Sequence, residues 1–94
     1  LPQAEASWFG VPIICDSKDT KNNLTKHLEY NKIQTRNYFA GNLLMHPGYS
    51  HLDNYKNYFN SCKVLDLVFF VGCSPTITLP MIDYIGTVTS SFKK

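Results

Sequence analysis

Leu67-Val68-Phe69-Phe70-Val71-Gly72 is the most strand-like stretch of this 94-residue chain, an apolar run rich in β-branched and aromatic residues that ends at glycine and is broken by Ser74-Pro75 shortly after. Asp66 interrupts the longer apolar run from Val64 to Cys73. The run therefore reads as a buried strand and its approach, too short to span a bilayer. Upstream, Trp8 to Cys15 reads as a first strand, with Pro12 lacking a ladder donor and so predicting an edge position or a bulge. Ile33 to Phe39 reads as a second strand, with Ile33, Thr35, Asn37 and Phe39 alternating against Gln34, Arg36 and Tyr38.

Helices are predicted between these strands. Asp16 to Asp19 reads as a turn, and Thr20 as the cap of a helix that places Leu24 and Leu28 on one face. That helix should stop near Asn31, a residue that tolerates the left-handed conformation of helix ends. Ser61 to Asp66 predicts a short helical turn. Thr78 caps a final helix, Pro80 fits its first turn, and Met81, Ile82, Ile85 and Val88 give it an apolar face. From Ala40 to Asn60 the composition changes to Gly, Asn, His, Pro and Tyr. An irregular segment of that length marks a functional loop or a surface covered by a partner. The order β-α-β-loop-β-α predicts an α+β domain, a small antiparallel sheet of about three strands covered on one face by two helices.

Bulk properties exclude several classes. The length suits one domain, and an apolar fraction of 44% is ordinary for a folded chain. A net charge of +2 from scattered lysines, without a basic stripe, gives no support to nucleic-acid or membrane-surface binding. Cys15, Cys62 and Cys73 are odd in number and lack a CxxC spacing, which argues against a disulfide framework and against zinc. They read as small buried hydrophobes in a reducing compartment, the cytoplasm. Asn23-Leu24-Thr25 matches a glycosylation sequon, but nothing else in the sequence points to secretion. With Leu1 in place of methionine and a linker-like start, the chain reads as a piece of something longer.

Arg36 is the only arginine, at a strand end before a glycine turn. Its guanidinium suits bidentate binding of phosphate or carboxylate, although a surface ion pair would also account for it. Gly41-Asn42 is either a simple turn or a site that presents a backbone amide and a carboxamide to a ligand. His27 reads as a solvated mid-helix residue. His46 and His51 have only Asp53 at ligand spacing, so no metal is predicted. The chain contains no nucleophile elbow, phosphate-cradling glycine loop or paired carboxylates, and hence no self-contained catalytic set. Tyr49, Tyr55, Tyr58 and Phe59, in the irregular segment, are predicted to face a neighbouring surface.

Four short motifs occur in a fixed order: Ser7-Trp8-Phe9-Gly10-Val11-Pro12, Ile33-Gln34-Thr35-Arg36-Asn37-Tyr38-Phe39-Ala40-Gly41-Asn42-Leu43, His46-Pro47 and Met81-Ile82-Asp83-Tyr84. Together they resemble the C-terminal small domain of the pyridoxal-phosphate-type (DegT-like) sugar aminotransferase family. Within it they are most similar to the nucleotide-4-keto-6-deoxyhexose 3-dehydrases that act on CDP- or GDP-sugars. The resemblance implies the C-terminal domain of a fold-type I enzyme, spanning residues 1–94, that closes over a nucleotide-4-keto-6-deoxyhexose. The large domain, absent here, would hold pyridoxamine or pyridoxal 5′-phosphate and the catalytic residues, and the enzyme would be a cytoplasmic homodimer of deoxysugar and lipopolysaccharide O-antigen biosynthesis. The cofactor stores electrons while the sugar 3-hydroxyl leaves.

The resemblance places no catalytic residue in this chain. It carries over Phe9, Thr35, Arg36, Phe39, Gly41, Asn42 and His46 as substrate-binding candidates. Aminotransferase members carry histidine where Phe9 aligns, and an apolar ring there can neither relay a proton nor bond a sugar hydroxyl. That difference disfavours the alternative of an aminotransferase small domain. A free-standing, non-catalytic binding module is the remaining alternative. Val11 and the stretch Cys73-Ser74-Pro75-Thr76-Ile77 depart from the family pattern, in which Phe and a bulky-Pro-Gly-Leu sequence are usual.

Overall fold

Three strands, β1 (Gly10–Ile14), β2 (Thr35–Asn37) and β3 (Val68–Gly72), form one antiparallel sheet in the order β1-β3-β2 in the computed structural model, which describes residues 1–94. The apolar run that reads as the strongest strand is the central one. Pro12 lies on an edge strand, where its missing N–H removes no ladder bond from the centre. The register sets Ile13 opposite Phe69, and both Pro12 and Arg36 opposite Phe70. Because side chains alternate across a sheet, Phe69 and Phe70 serve opposite faces.

Phe69 and Val71 face the helices. With Cys15, Leu24, Leu28, Ile33 and Val88 they form the core, and Ile13, Ile85 and Phe92 pack against it. Three helices are present rather than two. α1 (Lys18–Tyr30) carries Leu24 and Leu28 into the core, and α3 (Leu79–Ser91) reaches it through Val88. α2 (Phe59–Leu67) is longer than the turn predicted at Ser61 to Asp66. It runs directly into β3, with the Val68 N–H donating to the Val64 carbonyl. On α3, Met81 and Ile82 are half exposed instead of buried, because the core ends at Ile85.

The helix caps refine the sequence reading. Ser17, not Thr20, caps α1: its hydroxyl accepts from the Thr20 N–H at 3.1 Å, leaving Thr20 inside the first turn. Thr78 caps α3 as expected, accepting from the Met81 N–H. At the end of α1 the left-handed residue is Lys32 (φ 66°) rather than Asn31. The Ile33 N–H donates to the Leu28 carbonyl and the Lys32 N–H to the Glu29 carbonyl, the two bonds of a Schellman ending. Ile33 and Leu28 then meet in the core, which delays β2 until Thr35.

A non-glycine residue in the left-handed region is strained. Lys32→Gly is therefore expected to stabilise the chain by about 0.5–1 kcal/mol, read as a raised thermal midpoint. An unchanged or lowered midpoint would mean that the lysine side chain supports the fold.

Two short 3-10 turns, Leu43–Met45 and Tyr55–Asn57, punctuate the segment from 40 to 60. Tyr49, Leu52, Tyr58 and Phe59 are exposed within or beside it. The chain exposes 7428 Å², about a third more than the roughly 5,500 Å² expected of a compact monomer of its mass. Its radius of gyration, 15.6 Å, likewise exceeds the roughly 12 Å of a compact domain this long. Much apolar surface is left uncovered. No helix is long and apolar enough to cross a membrane.

Candidate functional site

The sheet face opposite the core carries an aromatic cluster. Phe70 lies at its centre, its ring laid across Gly10. A Cβ at Gly10 would stand 2.4 Å from Phe70 Cδ2, so any side chain there would displace the ring. Phe39 stacks on Phe70 with ring centroids 5.8 Å apart and planes 26° apart. Phe9 packs 5.8 Å from Phe70 and 5.9 Å from Phe39, and Tyr38 meets both Phe39 and Phe70 edge-on. Such tilted and offset pairs add to simple burial. Phe39 nevertheless remains two-thirds exposed, as does Trp8.

Phe39 holds its position at a conformational cost. Its φ is 52°, and its N–H donates to the Asn37 carbonyl at 2.7 Å, a tight bend immediately after β2. A bulky aromatic residue in the left-handed region is a genuine outlier. The bend turns the ring back over the sheet.

An open groove of about 1230 Å³ runs from Trp8, Phe9 and Phe39 past Phe70 to Met81 and Tyr84 on α3. Lys32 and Arg36 are its only charged lining residues, so the groove is cationic over an apolar floor. Tyr84 closes one end by donating its hydroxyl to the Asn31 carbonyl at 2.9 Å.

The structure brings together three of the seven candidates: Phe9, Arg36 and Phe39. Thr35 pairs with Val71, on the helix side of the sheet. Its N–H and hydroxyl both donate to Glu29 Oε1, at 2.6 and 3.0 Å. These bonds, the backbone one foremost, hold the Glu29 carboxyl below the usual carboxylate range. Thr35 thus ties β2 to the end of α1 and does not line the groove.

Gly41-Asn42 is a structural turn. Gly41 has φ 66° and lies against Leu65, whose Cδ1 would be 2.7 Å from a Cβ at this position. Asn42 is 2% exposed. Its Oδ1 accepts from the Leu44 N–H, and its Nδ2 donates to the Tyr55 carbonyl at 3.0 Å and to Cys62 Sγ. Both amide hydrogens are committed, and the carboxamide is buried in the loop away from the groove. His46 closes the same loop through Nε2 to the Ala40 carbonyl at 3.1 Å.

The other titratable residues are structural as well. His27 is not simply solvated: its Nε2 lies 2.9 Å from the Val88 carbonyl and its ring packs on Phe92, joining α1 to α3. Asp53 accepts from the Asn54 N–H, the Asn57 carboxamide and the Tyr58 hydroxyl. Those bonds hold its carboxyl low and push the Tyr58 phenol up. No three His, Cys, Asp or Glu side chains converge as a metal site. All three thiols are free, with Cys15 buried and Cys73 exposed at the groove, so only the first is a core hydrophobe. The sequon lies within α1, with Leu24 in the core.

The DegT/DnrJ/EryC1/StrS aminotransferase family model matches residues 1–89. The chain belongs to this family. It is 38% identical over 96 residues to the dTDP-4-dehydro-2,6-dideoxy-D-glucose 3-dehydratase of Saccharopolyspora spinosa, an alignment covering 97% of this chain and 21% of that protein. It is 33% identical over 101 residues to the lipopolysaccharide biosynthesis protein RfbH of Salmonella typhimurium strain LT2, covering 98% of this chain and 23% of that protein. The chain therefore spans about a fifth of either relative. No solved structure matches it.

Members of the DegT family use pyridoxal phosphate, and the residues of this chain do not by themselves form a site for it. Every buried side-chain nitrogen and oxygen already has a partner. The buried amine, Lys21, is committed to the Leu65 carbonyl at 2.7 Å, away from the groove, and burial pushes its ammonium below the ordinary lysine value. Sequence reasoning did not single out Lys21. The signal was its spacing, three residues before Leu24 and seven before Leu28 on one stripe.

Proposed function

We propose that the chain is the C-terminal small domain of a nucleotide-sugar 3-dehydratase, closing over the substrate in a fold-type I enzyme that works as a homodimer. The remainder of the enzyme would supply the pyridoxamine phosphate site and the catalytic groups. One observation carries the reading. Phe9, where aminotransferase members carry histidine, is an apolar wall of the groove packed against Phe39 and Phe70. A wall of three phenyl rings offers no proton to the substrate. Arg36, beside it, has a guanidinium suited to the paired oxygens of a sugar-nucleotide diphosphate. The 38% identity to a 3-dehydratase across nearly the whole chain supports the same choice. The setting would be deoxysugar or lipopolysaccharide O-antigen biosynthesis in the cytoplasm.

Full-length protein supplied with pyridoxamine phosphate, a reductant and a nucleotide-4-keto-6-deoxyhexose is expected to release the 3-hydroxyl without aminating the sugar. A 4-amino sugar formed from an amino donor would overturn this reading in favour of an aminotransferase. The 94-residue chain alone is expected to give no saturable spectral shift when titrated with pyridoxamine phosphate. A micromolar shift would place cofactor binding within this chain and contradict the division of labour.

A further inference from the structure

We infer that residues 42–66 form a strap that opens from the domain as one unit, with the buried amine of Lys21 as its latch. This conformational device is independent of the reaction proposed above.

Three observations converge on it. First, the strap adds nothing to the hydrophobic core. None of its residues belongs to the core cluster or to the side chains packed against that cluster, and its one buried residue is Asn42. Apolar burial is the main source of stability, so releasing this segment costs less than unfolding the sheet and its covering helices. Second, the side-chain bonds that start within the strap stay in it or reach only to its entry. Asn42 bonds to Leu44, Tyr55 and Cys62, Asp53 bonds to Asn54, Asn57 and Tyr58, and His46 reaches back to the Ala40 carbonyl. These bonds join the two 3-10 turns to the start of α2, so the segment moves as a body. Third, only two polar side chains from elsewhere reach across to it. Lys18 forms an exposed ion pair with Asp66 at 3.5 Å, a kind of contact that contributes little. Lys21 is buried and donates to the Leu65 carbonyl at 2.7 Å. α2 has no side-chain cap at its start and no basic residue in its last turn. The amine from α1 therefore supplies the donor that the final carbonyls of α2 lack in their own helix.

Both ends of the strap have the geometry of a hinge. Phe39 and Gly41, just before it, are left-handed at φ 52° and 66°, and Gly41 lies against the same Leu65 that Lys21 holds. After it, the Val68 N–H donates to the Val64 carbonyl and the Cys15 N–H to the Leu67 carbonyl, which fixes where the chain enters β3. Phe39 also lines the groove, whereas the strap itself contributes no lining residue. Opening thus frees one wall of the groove and leaves the sheet intact.

The first test is native-state hydrogen exchange of the full-length wild-type protein at increasing denaturant. Hydrogen-bonded amides of residues 42–66 are expected to exchange through one shared opening, roughly tenfold or more frequent than the opening that exposes Phe69 and Val71. Exchange of both sets only through global unfolding would overturn the inference. So would strap amides that open one by one. Lys21→Met keeps an apolar stem but leaves the Leu65 carbonyl without its partner. It should lower strap protection by a further factor of about ten, while the amides of β3 and of Leu24 and Leu28 change by less than about threefold. Lys18→Met should change strap protection by less than about twofold. Unchanged strap protection in Lys21→Met, or an equal loss across strap and core, would remove Lys21 as the latch. An effect of Lys18→Met as large as that of Lys21→Met would assign the attachment to surface charge and again overturn the inference. Failure of Lys21→Met to fold would make Lys21 a residue of the core rather than a latch, and the wild-type exchange pattern would still decide whether the strap opens as a unit.

Discussion

Phe69→Ala is expected to destabilise the chain by about 3–5 kcal/mol, the range for emptying a buried phenyl site. Phe69 is fully buried at the centre of β3, between Ile13 of β1 and the Leu24–Leu28 stripe of α1. Only ten residues are buried in the whole chain, so the core has few other contacts with which to close the cavity. Small domains carry roughly 5–15 kcal/mol in total, and this one substitution would remove much of it. At about 4–8 °C per kcal/mol for a domain of this size, the thermal midpoint should fall by at least about 12 °C. Phe70→Ala, one residue on, is expected to cost less than half as much, because Phe70 lies on the uncovered face and is only half-buried. Thermal unfolding of the two variants side by side is the measurement. Equal losses would mean that the outer face is as much a core as the inner one.

That pair shows how far sequence could go. Both residues belong to an apolar run that reads as a central strand, and it is central. Alternation says that they serve different faces, but both are phenylalanine, so pattern alone cannot say which face the helices cover. The answer lies in residues distant in sequence: Gly10 makes room for the Phe70 ring, and the Schellman ending at Lys32 brings Ile33 under Phe69. The predicted sheet, its edge proline and the α3 cap were legible because each follows from local chemistry. α2 was underestimated because Tyr58 gives it no side-chain cap, and its stability comes from packing on α1 and β3.

The site was legible only in part, for a related reason. Arg36 stood out by composition, and Phe9 and Phe39 by family resemblance, and all three line one groove. Thr35, Gly41, Asn42 and His46 share the same motifs but lie outside that groove, Thr35 bonded to the Glu29 carboxylate and the others within the turn and loop that follow. Short polar side chains and glycine are the residue types used both for ligands and for turns. Sequence cannot separate the two uses until the bonding partners are known. Here Glu29, Leu65, Tyr55, Cys62 and Ala40 claim them.

Asn42→Ala tests that division most sharply, and we expect it to cost about 2–4 kcal/mol of stability. The substitution removes the acceptor of the Leu44 N–H and the donor to both the Tyr55 carbonyl and Cys62 Sγ, at a residue 2% exposed. Each net bond is worth only about 1 kcal/mol, but groups left buried and unpaired add their desolvation cost. Asn42→Asp should be no milder. It keeps an acceptor for the Leu44 N–H, loses both donated bonds, and places a carboxylate beside the Tyr55 carbonyl in a buried site. Because the carboxamide joins the Leu43–Met45 turn to the Tyr55–Asn57 turn, limited proteolysis should find new cleavage sites between residues 40 and 60 in either variant. Residual folded full-length enzyme should retain nucleotide-sugar affinity close to wild type, since the side chain does not reach the groove. A variant with wild-type melting and protease resistance but lost substrate affinity would return Asn42 to the binding residues and imply that its bonds rearrange when substrate enters.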